Sequence, residues 1–418
     1  MKTGEILNEH LAHFGKPLEG LRVLAIEQMQ ALPYSTQLLG HLGADIVKVE
    51  HPTTGDSGRG SLPAVKDDDG RDVGATYLRN NLNKRSITCN LKSPEGVDLI
   101  KRLVPKFDIV AENFKAGTMA RLGLAYDDLK DLHPGLIYVS VSGFGNLRPS
   151  PYQAWGAYAP IAEAMGGFIE WKRGEGELPE LGPAGALGDI GTSLFATIGL
   201  LSALHRREKT GRGQYVDVAM YDAMVAMADA IPHFYSLGMR KGGKRRMAAG
   251  IVTGFKADDG YFIVQCVRDH QLEKLAHAVG HPEWLDDPRL ETRGDWADQL
   301  ESLIRPAIEA WAEGKTMIEA ATELNNKGVV SGPCNGPEQL MADPHVRDHA
   351  MLLEVERPDA DPSDEPVIVV GNPIKLSEMA EGPNRRWPQL GAHTEEVLAA
   401  DLGLSSDDVA ALREKGAV

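Results

Sequence analysis

A carboxylate stands at the start of a long apolar segment in the middle of the chain. Asp189 follows the stretch GPAGALG, and apolar residues such as Leu194 and Ile198 come after it at helical spacing. An Asp at a helix start can accept backbone N–H groups as an N-cap, and the helix dipole can keep it ionised for nucleophilic attack. The flanking Gly188 and Gly191 leave room for a substrate to approach. Asp189 is therefore a candidate for a cap and for a nucleophile, and the two roles are compatible.

Alternating strands and helices precede this segment and would position it. The run LRVLAIEQMQALPYSTQLLGHLGADIVKVEHP, which begins at Leu21, has the pattern of a strand, a loop, an amphipathic helix, a turn and a second strand. Further strands are predicted at SITCN, FDIVAEN and LIYVSVSGFG, with helices between them. The first 145 residues therefore predict an α/β fold with a Rossmann-like, doubly wound parallel sheet.

Ligands of such sheets bind beyond the carboxyl ends of the strands. Polar and glycine-containing segments stand at these ends and predict one shared crevice: Gln30-Ala31, Glu50-His51, Asn113-Phe114 and Ser142-Gly143-Phe144. The loop after the first strand lacks the GxGxxG pattern of dinucleotide-binding proteins. An NAD-linked oxidoreductase, the default for an α/β chain, is therefore disfavoured.

A second, smaller domain is predicted between residues 245 and 335. There FKADDGYFIVQCV has the pattern of a β-hairpin with an Asp-Gly turn, and helical stretches follow it, as in an α+β domain. Residues 1–225 would form the first part of a large discontinuous domain, 226–244 a linker, and 336–418 a return linker and the rest of the large domain. The polar, Gly-rich residues 53–77 predict a loop that is disordered or covers a site.

The balance of charged residues limits the class of partner. Sixty acidic residues against 44 basic ones give a net charge of −16, which disfavours nucleic acid or an anionic membrane as the main partner. No run approaches the length of a membrane span and the N-terminus lacks the plan of a signal peptide, so a cytoplasmic location is expected. The three cysteines show no metal-ligand spacing, and neither a metal nor a tightly bound cofactor is expected.

Seven motifs occur in a fixed order along the chain: LGADIVKVEHP followed by Gly55-Asp56, NKRSITCNLKSPEG, ENFKAGTMARLG, GALGDIG, REKTGRGQYVDVAM, DPHVRD and LGAHTEEVL. Through them the chain resembles the class III CoA-transferase family, also called the CaiB/BaiF family, from Leu21 to the C-terminus. The resemblance implies an acyl-CoA:carboxylate CoA-transferase, with acyl-CoA and a carboxylic acid as substrates. It also implies a homodimer whose two subunits are threaded through each other as interlocked rings.

The resemblance further implies roles for individual residues. Asp189 matches the family's nucleophile, which forms an acyl anhydride and then an aspartyl-CoA thioester. Gln30 and Ala31 match the loop near the thioester, whereas Tyr77 and Tyr158 match aromatic residues beside the substrate. The residues that match the family's CoA-binding positions are His51, Asn90, Leu91, Lys92, Asn113, Phe114, Lys115 and Arg121.

Two alternative functions stay open. A 2-methylacyl-CoA racemase or epimerase of the same family would need a histidine where Ala157 stands, so the proton donor of two-base racemisation is missing. A non-catalytic CoA-binding protein would keep the pocket and form no adduct at Asp189. Members that act on formyl-CoA and oxalate carry a run of glycines and a glutamine where this chain has MAAGIVTGF, which argues against oxalate as the acceptor.

Overall fold

The computed structural model describes residues 1–174, 176–182, 186–240, 249–357 and 365–418. These residues form two compact units, of which the first comprises Met1–His233 and His345–Val418 and the second Phe234–Pro344. The segment predicted as a linker, 226–244, carries helical residues as far as Ser236, and its residues 241–244 lie outside the described ones. The start of MAAGIVTGF also lies outside them.

The described residues form the following elements. The strands are β1 (Arg22–Ile26), β2 (Asp45–Glu50), β3 (Ala64–Lys66), β4 (Asp72–Gly74), β5 (Lys84–Thr88), β6 (Ile109–Glu112), β7 (Ile137–Ser142), β8 (Tyr215–Ala219), β9 (Ile251–Lys256), β10 (Tyr261–Cys266), β11 (Ser331–Pro333), β12 (Leu352–Val355) and β13 (Val367–Val370). The α-helices are α1 (Pro33–His41), α2 (Ala75–Leu78), α3 (Pro94–Leu103), α4 (Thr118–Arg121), α5 (Tyr126–Leu129), α6 (Ala159–Met165), α7 (Phe168–Lys172), α8 (Leu187–Thr210), α9 (Met220–Met227), α10 (Ala230–Ser236), α11 (Asp269–Ala278), α12 (Arg293–Asp298), α13 (Arg305–Ala312), α14 (Met317–Asn326), α15 (Pro337–Ala342), α16 (Pro344–Asp348), α17 (Thr394–Leu402) and α18 (Ser406–Glu414).

A six-stranded parallel sheet organises the first unit, in the order β5-β2-β1-β6-β7-β8. Counted along the chain, this is the strand order 3-2-1-4-5-6 of Rossmann-like folds, so the predicted fold class is confirmed. The direction of strand addition reverses between β1 and β6. Their carboxyl ends therefore border a crevice at the point where this fold binds ligands.

Helices cover both faces of this sheet, which is why its strands are almost continuously apolar. Neighbouring residues of β1 point to opposite faces: Val23 joins the core beneath α1 and α8, and Leu24 joins the core on the other side. That second core also takes Val397 and Leu398 of α17 and Val409 of α18. The C-terminal helices thus pack on the sheet that the N-terminal residues build.

The second unit has its own core. Its three antiparallel strands lie in the order β11-β10-β9, and the β9–β10 hairpin pairs Lys256 with Tyr261. Phe255 and Phe262 lie inside, together with Trp284 and Trp296 from the segments that follow.

Helix α8 extends for 24 residues and packs against α1, α6, α9 and the strands β7 and β8. Among the described helices, it is the one long and apolar enough to cross a membrane by length and composition. The expectation that no segment reaches this threshold is therefore wrong for α8. The inner face of α8, which includes Ala196 and Leu200, belongs to the core beneath the sheet. A helix buried in the core of a globular protein must also be apolar, which explains the composition of α8.

The Gly-rich residues 53–77 are more ordered than predicted. They contain a 3₁₀ helix at Ser57–Gly60, the β3–β4 hairpin and the start of α2. The Asp56 side chain accepts the Gly58 N–H and so caps the 3₁₀ helix. The segment is thus folded against the large sheet rather than disordered.

Candidate active site

A cavity of about 350 Å³ opens at the carboxyl ends of β1, β6 and β7. The loop after each of these strands contributes to its wall, and the first turn of α8 and the start of α6 close it. Six of the residues that the resemblance assigns to catalysis or binding lie together in this wall: Ala31, Asn113, Phe114, Lys115, Tyr158 and Asp189. The predicted crevice residues Ser142, Gly143 and Phe144 lie there too. The predicted crevice therefore exists at three of the four strand ends, and the end of β2 is the exception.

Asp189 lies in the first turn of α8 with its side chain partly buried. The helix begins at Leu187 and its N-cap position is Ala186, so the N-cap interpretation of Asp189 is wrong. Burial, and then the neighbouring charge of Glu163, raise the pKa of Asp189 to about 6, while the positive charge of Arg79 acts in the opposite direction. The Asp189 carboxyl is therefore more basic than an exposed aspartate and still mostly ionised at pH 7.

The glycines beside Asp189 serve helix packing. A Cβ atom on Gly188 would lie 2.8 Å from the Ala159 Cα of α6, and one on Gly191 would lie 2.2 Å from the Met227 sulfur of α9. The space that a side chain would occupy at Gly188 and Gly191 is therefore filled by the neighbouring helices. The expectation that these glycines leave room for a substrate is wrong.

Glu163 of α6 is a site residue that the sequence analysis missed. Its side chain is 8% exposed, and its Oε1 accepts the Gly188 backbone N–H at 2.9 Å. It thus satisfies one of the free N–H groups at the start of α8 and places a second negative charge close to Asp189. A glutamate within an Ala-rich helix gives no sequence signal for this role.

The backbone of the loop after β1 is fixed by hydrogen bonds to side chains from two other loops. The Asn113 side chain donates to the Gln28 carbonyl and accepts the Gln28 N–H, both at 2.8 Å. Met29 has a left-handed backbone with φ of 62°, and its N–H donates to Asp56 Oδ1 at 2.9 Å. Asn113 therefore joins the ends of β1 and β6, and Asp56 fixes the turn at Met29 between β1 and α1.

Beneath this loop lies a buried ionic network. Lys48 of β2 pairs with Asp56 at 2.8 Å and with Glu27 at 3.5 Å, and Lys84 of β5 pairs with Glu27 at 2.7 Å. All four side chains are completely shielded from solvent. Burial lowers the pKa of Lys84 to about 8, against the opposing charge of Glu27. The network connects three neighbouring segments of the sheet to the cavity loop.

Gln30 lies behind the cavity wall, where its side chain is bonded to the charged residue Arg79. The Gln30 side chain is 5% exposed, and its Oε1 accepts a hydrogen bond from Arg79 Nη2 at 2.7 Å. The next residue, Ala31, lines the cavity, and its carbonyl accepts the hydroxyl of Ser193, one turn along α8 from Asp189. The sequence analysis did not predict Arg79 as a site residue, because within the segment TYLRNN only Tyr77 matches a family position.

A second cavity, of about 420 Å³, collects three more of the predicted CoA-binding residues, Leu91, Lys92 and Arg121. It lies at the start of α3, where Ser93 caps the helix by accepting the Gly96 N–H at 3.0 Å. Lys101 adds a third cation to the wall, against the single carboxylate of Asp98. Cations beside a helix N-terminus form a favourable surface for phosphate groups.

Three predicted residues have structural partners instead. Tyr77 has no exposed surface, and its hydroxyl contacts Glu50 and Arg59 inside the core, so its predicted place beside the substrate is wrong. His51 is exposed and accepts the N–H groups of the turn that follows it, away from both cavities. Asn90 donates to the Gly416 carbonyl and thereby anchors the C-terminus.

The chain is similar to known proteins over almost its whole length. It matches the family model of CoA-transferase family III over residues 18–394. It is 36% identical over 405 residues to succinyl-CoA:mesaconate CoA-transferase of Haloarcula marismortui, which covers 94% of this chain and 99% of that protein. It is 33% identical to formyl-CoA:oxalate CoA-transferase of Streptomyces avermitilis, with 96% of this chain and 100% of that protein aligned.

A solved structure agrees with these sequence comparisons. The crystal structure of a CaiB/BaiF family protein from Brucella suis superimposes with a TM-score of 0.77 at 31% identity and covers 92% of this chain and 99% of that one. The enzyme class predicted from the motifs, an acyl-CoA:carboxylate CoA-transferase, is confirmed by these relatives. The chain belongs to CoA-transferase family III.

Proposed function

We propose that the chain transfers CoA from an acyl-CoA to a carboxylic acid through covalent intermediates on Asp189. The observation that carries this proposal is the position of the Asp189 carboxylate in the wall of the cavity at the switch point of the sheet. It is the place where this fold class binds ligands, and the carboxylate is ionised at neutral pH yet partly shielded from water.

Four displacements complete the transfer. An Asp189 oxygen attacks the thioester carbonyl of the donor, the C–S bond breaks, and an acyl-aspartyl anhydride and CoA thiolate form. The thiolate attacks the aspartyl carbonyl, which gives aspartyl-CoA thioester and releases the donor's carboxylate. The acceptor carboxylate then attacks that thioester, and the thiolate that leaves attacks the acceptor's carbonyl in the new anhydride. Acceptor-CoA and the free Asp189 carboxylate result, so no proton or electron is gained or lost.

The second cavity supports a subsite for the nucleotide end of CoA. Lys92, Lys101 and Arg121 offer positive charge in a chain whose net charge is negative, and Leu91 offers an apolar surface. We assign Lys115 and Phe114, in the wall of the first cavity, to the arm of CoA. Their place on the loop after β6 supports this assignment, because that loop lies next to Asn113 and the carboxyl end of β1.

The racemase alternative is less well supported. The described residues that line the first cavity include no histidine, and Ala157 stands in the wall at the position where such an enzyme needs one. A second base on the opposite face of a substrate α-carbon is therefore missing from this chain's part of the cavity.

We also propose that the enzyme is a homodimer with interlocked subunits. Leu194, Ile198 and Leu201 lie on the solvent side of α8, and Ile198 is 60% exposed in the single chain. Residues at this spacing form one apolar face of a helix, and a second copy of the chain would remove that face from water.

A trapping experiment tests the mechanism. Incubation with a panel of acyl-CoAs, followed by hydroxylamine or borohydride and mass spectrometry, should show modification of Asp189. The variant Asp189→Ala should bind CoA and lose turnover by at least about a thousandfold. Asp222→Ala is the matched control, because Asp222 is an exposed acid in the first turn of α9. Exchange at the wild-type rate in Asp189→Ala would disprove the mechanism, and CoA binding without any adduct in the wild type would support the non-catalytic alternative.

A further inference from the structure

Aromatic side chains form part of the wall of the Asp189 cavity. Phe144, Trp155 and Tyr158 line this cavity, and we call these three residues the aromatic wall. The rings of Phe144 and Trp155 are perpendicular, with their centroids 6.3 Å apart. Behind them the Tyr152 ring packs against both, at 5.5 Å from Phe144 and 4.7 Å from Trp155. The aromatic wall is therefore supported by further ring contacts.

Contacts between separate segments hold the aromatic wall in place. Phe144 follows β7, and the carbonyl of the preceding Gly143 accepts the N–H of Tyr221 in α9 at 3.0 Å. A Cβ atom on Gly143 would lie 2.5 Å from the Ala157 Cβ, so the segment 155–158 packs directly on the loop after β7. The sheet and α9 thus fix the place of the aromatic wall.

The aromatic wall also adjoins the proposed nucleophile. Tyr158 is followed by Ala159, the first residue of α6, whose Cα would lie 2.8 Å from a Cβ atom on Gly188. Gly188 directly precedes Asp189 in the first turn of α8. An acyl group bound to the Asp189 carboxylate would therefore extend from a point next to the aromatic wall.

Exposure and charge indicate what the aromatic wall would bind. Trp155 is 53% exposed and Tyr158 is 68% exposed. Large exposed apolar surfaces that line a cavity are typical of ligand-binding sites. Of the described residues that line the cavity, only Lys115 is positively charged, and the proposed function assigns it to the arm of CoA. The aromatic wall therefore offers ring packing and apolar contact to an acyl group rather than a cation.

We propose that the acid that passes through Asp189 carries an aromatic group, which packs on Trp155 and Phe144. This inference rests on the proposed function and specifies its substrate class. An aromatic ring that packs against other rings is stabilised by the geometry of the contact as well as by its removal from water. Donor and acceptor form the same kind of anhydride on Asp189, so the aromatic wall serves the acyl group of either substrate.

Three donors that share the same CoA test the proposal: 3-phenylpropanoyl-CoA, propanoyl-CoA and succinyl-CoA. Without an acceptor, each donor yields the same aspartyl-CoA adduct, and mass spectrometry gives the second-order rate constant for its formation. In the wild type this rate constant should be at least about tenfold higher for 3-phenylpropanoyl-CoA than for the other two donors. Trp155→Ala should reduce the ratio between 3-phenylpropanoyl-CoA and propanoyl-CoA by about tenfold, and Trp155→Phe should keep part of it because a ring remains.

The controls separate this inference from the function on which it rests. Phe14→Ala is the matched variant, because Phe14 is a similarly exposed aromatic residue, at 50%, and is not part of the cavity wall. It should leave all three rate constants unchanged. A wild type that reacts as fast with succinyl-CoA or propanoyl-CoA, or a Trp155→Ala variant that keeps the full preference, would overturn the inference while the adduct still supported the function. Absence of an adduct with every donor would reject the function itself.

Discussion

At the scale of single residues, the ionisation of Asp189 is set by charges on two other elements. Glu163 of α6 raises its pKa and Arg79, at the end of α2, lowers it, while partial burial makes the largest contribution. A nucleophilic carboxylate with a pKa near 6 is more basic than an exposed Asp and still ionised at neutral pH. The two neighbouring charges therefore offer independent ways to change its reactivity.

Glu163→Gln should move the pH dependence of the reaction toward acid. Because only the ionised Asp189 attacks, kcat/KM for the donor should fall as the pH decreases through about 6 in the wild type. Glutamine keeps an oxygen to accept the Gly188 N–H but removes the negative charge, so the pKa of Asp189 should decrease. The measurement is a profile of kcat/KM against pH.

Arg79, whose positive charge lowers the pKa of Asp189, provides the control for this experiment. Arg79→Gln removes the positive charge near Asp189 and should move the acidic limb of the same profile to higher pH. Shifts of both variants in the same direction, or an unchanged limb in Glu163→Gln, would contradict the assignment of these charges.

At the scale of elements, the cavity depends on how the loops after β1 and β2 are held. Loops are usually the least constrained parts of a fold, yet here Met29 takes a left-handed backbone bonded to Asp56. Asp56 is in turn paired with Lys48, which lies in β2 with no exposed surface. The rigidity of the loop therefore comes from a central strand of the sheet.

Lys48→Met should destabilise the fold by about 3–5 kcal/mol, because it leaves the buried charges of Glu27 and Asp56 without one of their cations. Unfolding by urea, followed by circular dichroism, measures this loss. Arg413→Met is the control, since its ion pair with Glu395 is half-exposed and should contribute less than about 1 kcal/mol. Equal stability of the two variants would show that the network is not needed to hold the loop.

At the scale of the whole molecule, the single chain leaves the outer face of α8 uncovered. The inner face of this helix packs on the sheet, and the residues next to Asp189 pack on α6 and α9. Leu194 and Ile198 lie on the outer face, and no described residue of the same chain covers them, so both are exposed. The helix that carries the proposed nucleophile is therefore also the surface at which we place the second subunit.

Light scattering of the purified protein should give a mass of twice the 45.3 kDa chain. Ile198→Glu should reduce the dimer fraction or the yield of folded protein, because it places a charge in the proposed interface. Val252→Glu, at an exposed apolar residue of the second unit, is the control and should leave the mass unchanged. A monomeric wild type with full activity would contradict the interlocked dimer.

The amino-acid sequence by itself determined the family, the α/β class and the segments that meet at the cavity. The fold class and the meeting of the strand ends follow from local patterns, because apolar periodicity defines strands and helices and a parallel sheet brings its carboxyl ends to one edge. The family follows from the resemblance carried by the seven ordered motifs. The strand pattern thus indicated Asn113 and Ala31 as neighbours, and the resemblance added Asp189, which lies in the same cavity wall.

Only the tertiary structure decided which polar residues face the cavity and which satisfy the core. Tyr77 matches a family position, but three-dimensional packing buries it against Arg59, whereas Arg79, two residues later, bonds Gln30 near Asp189. Glu163 approaches Asp189 because α6 packs against α8, where the Glu163 side chain accepts the N–H of Gly188, 25 residues later in the chain. The direction of a side chain and the charges around it depend on such distant contacts, for which the local sequence carries no pattern.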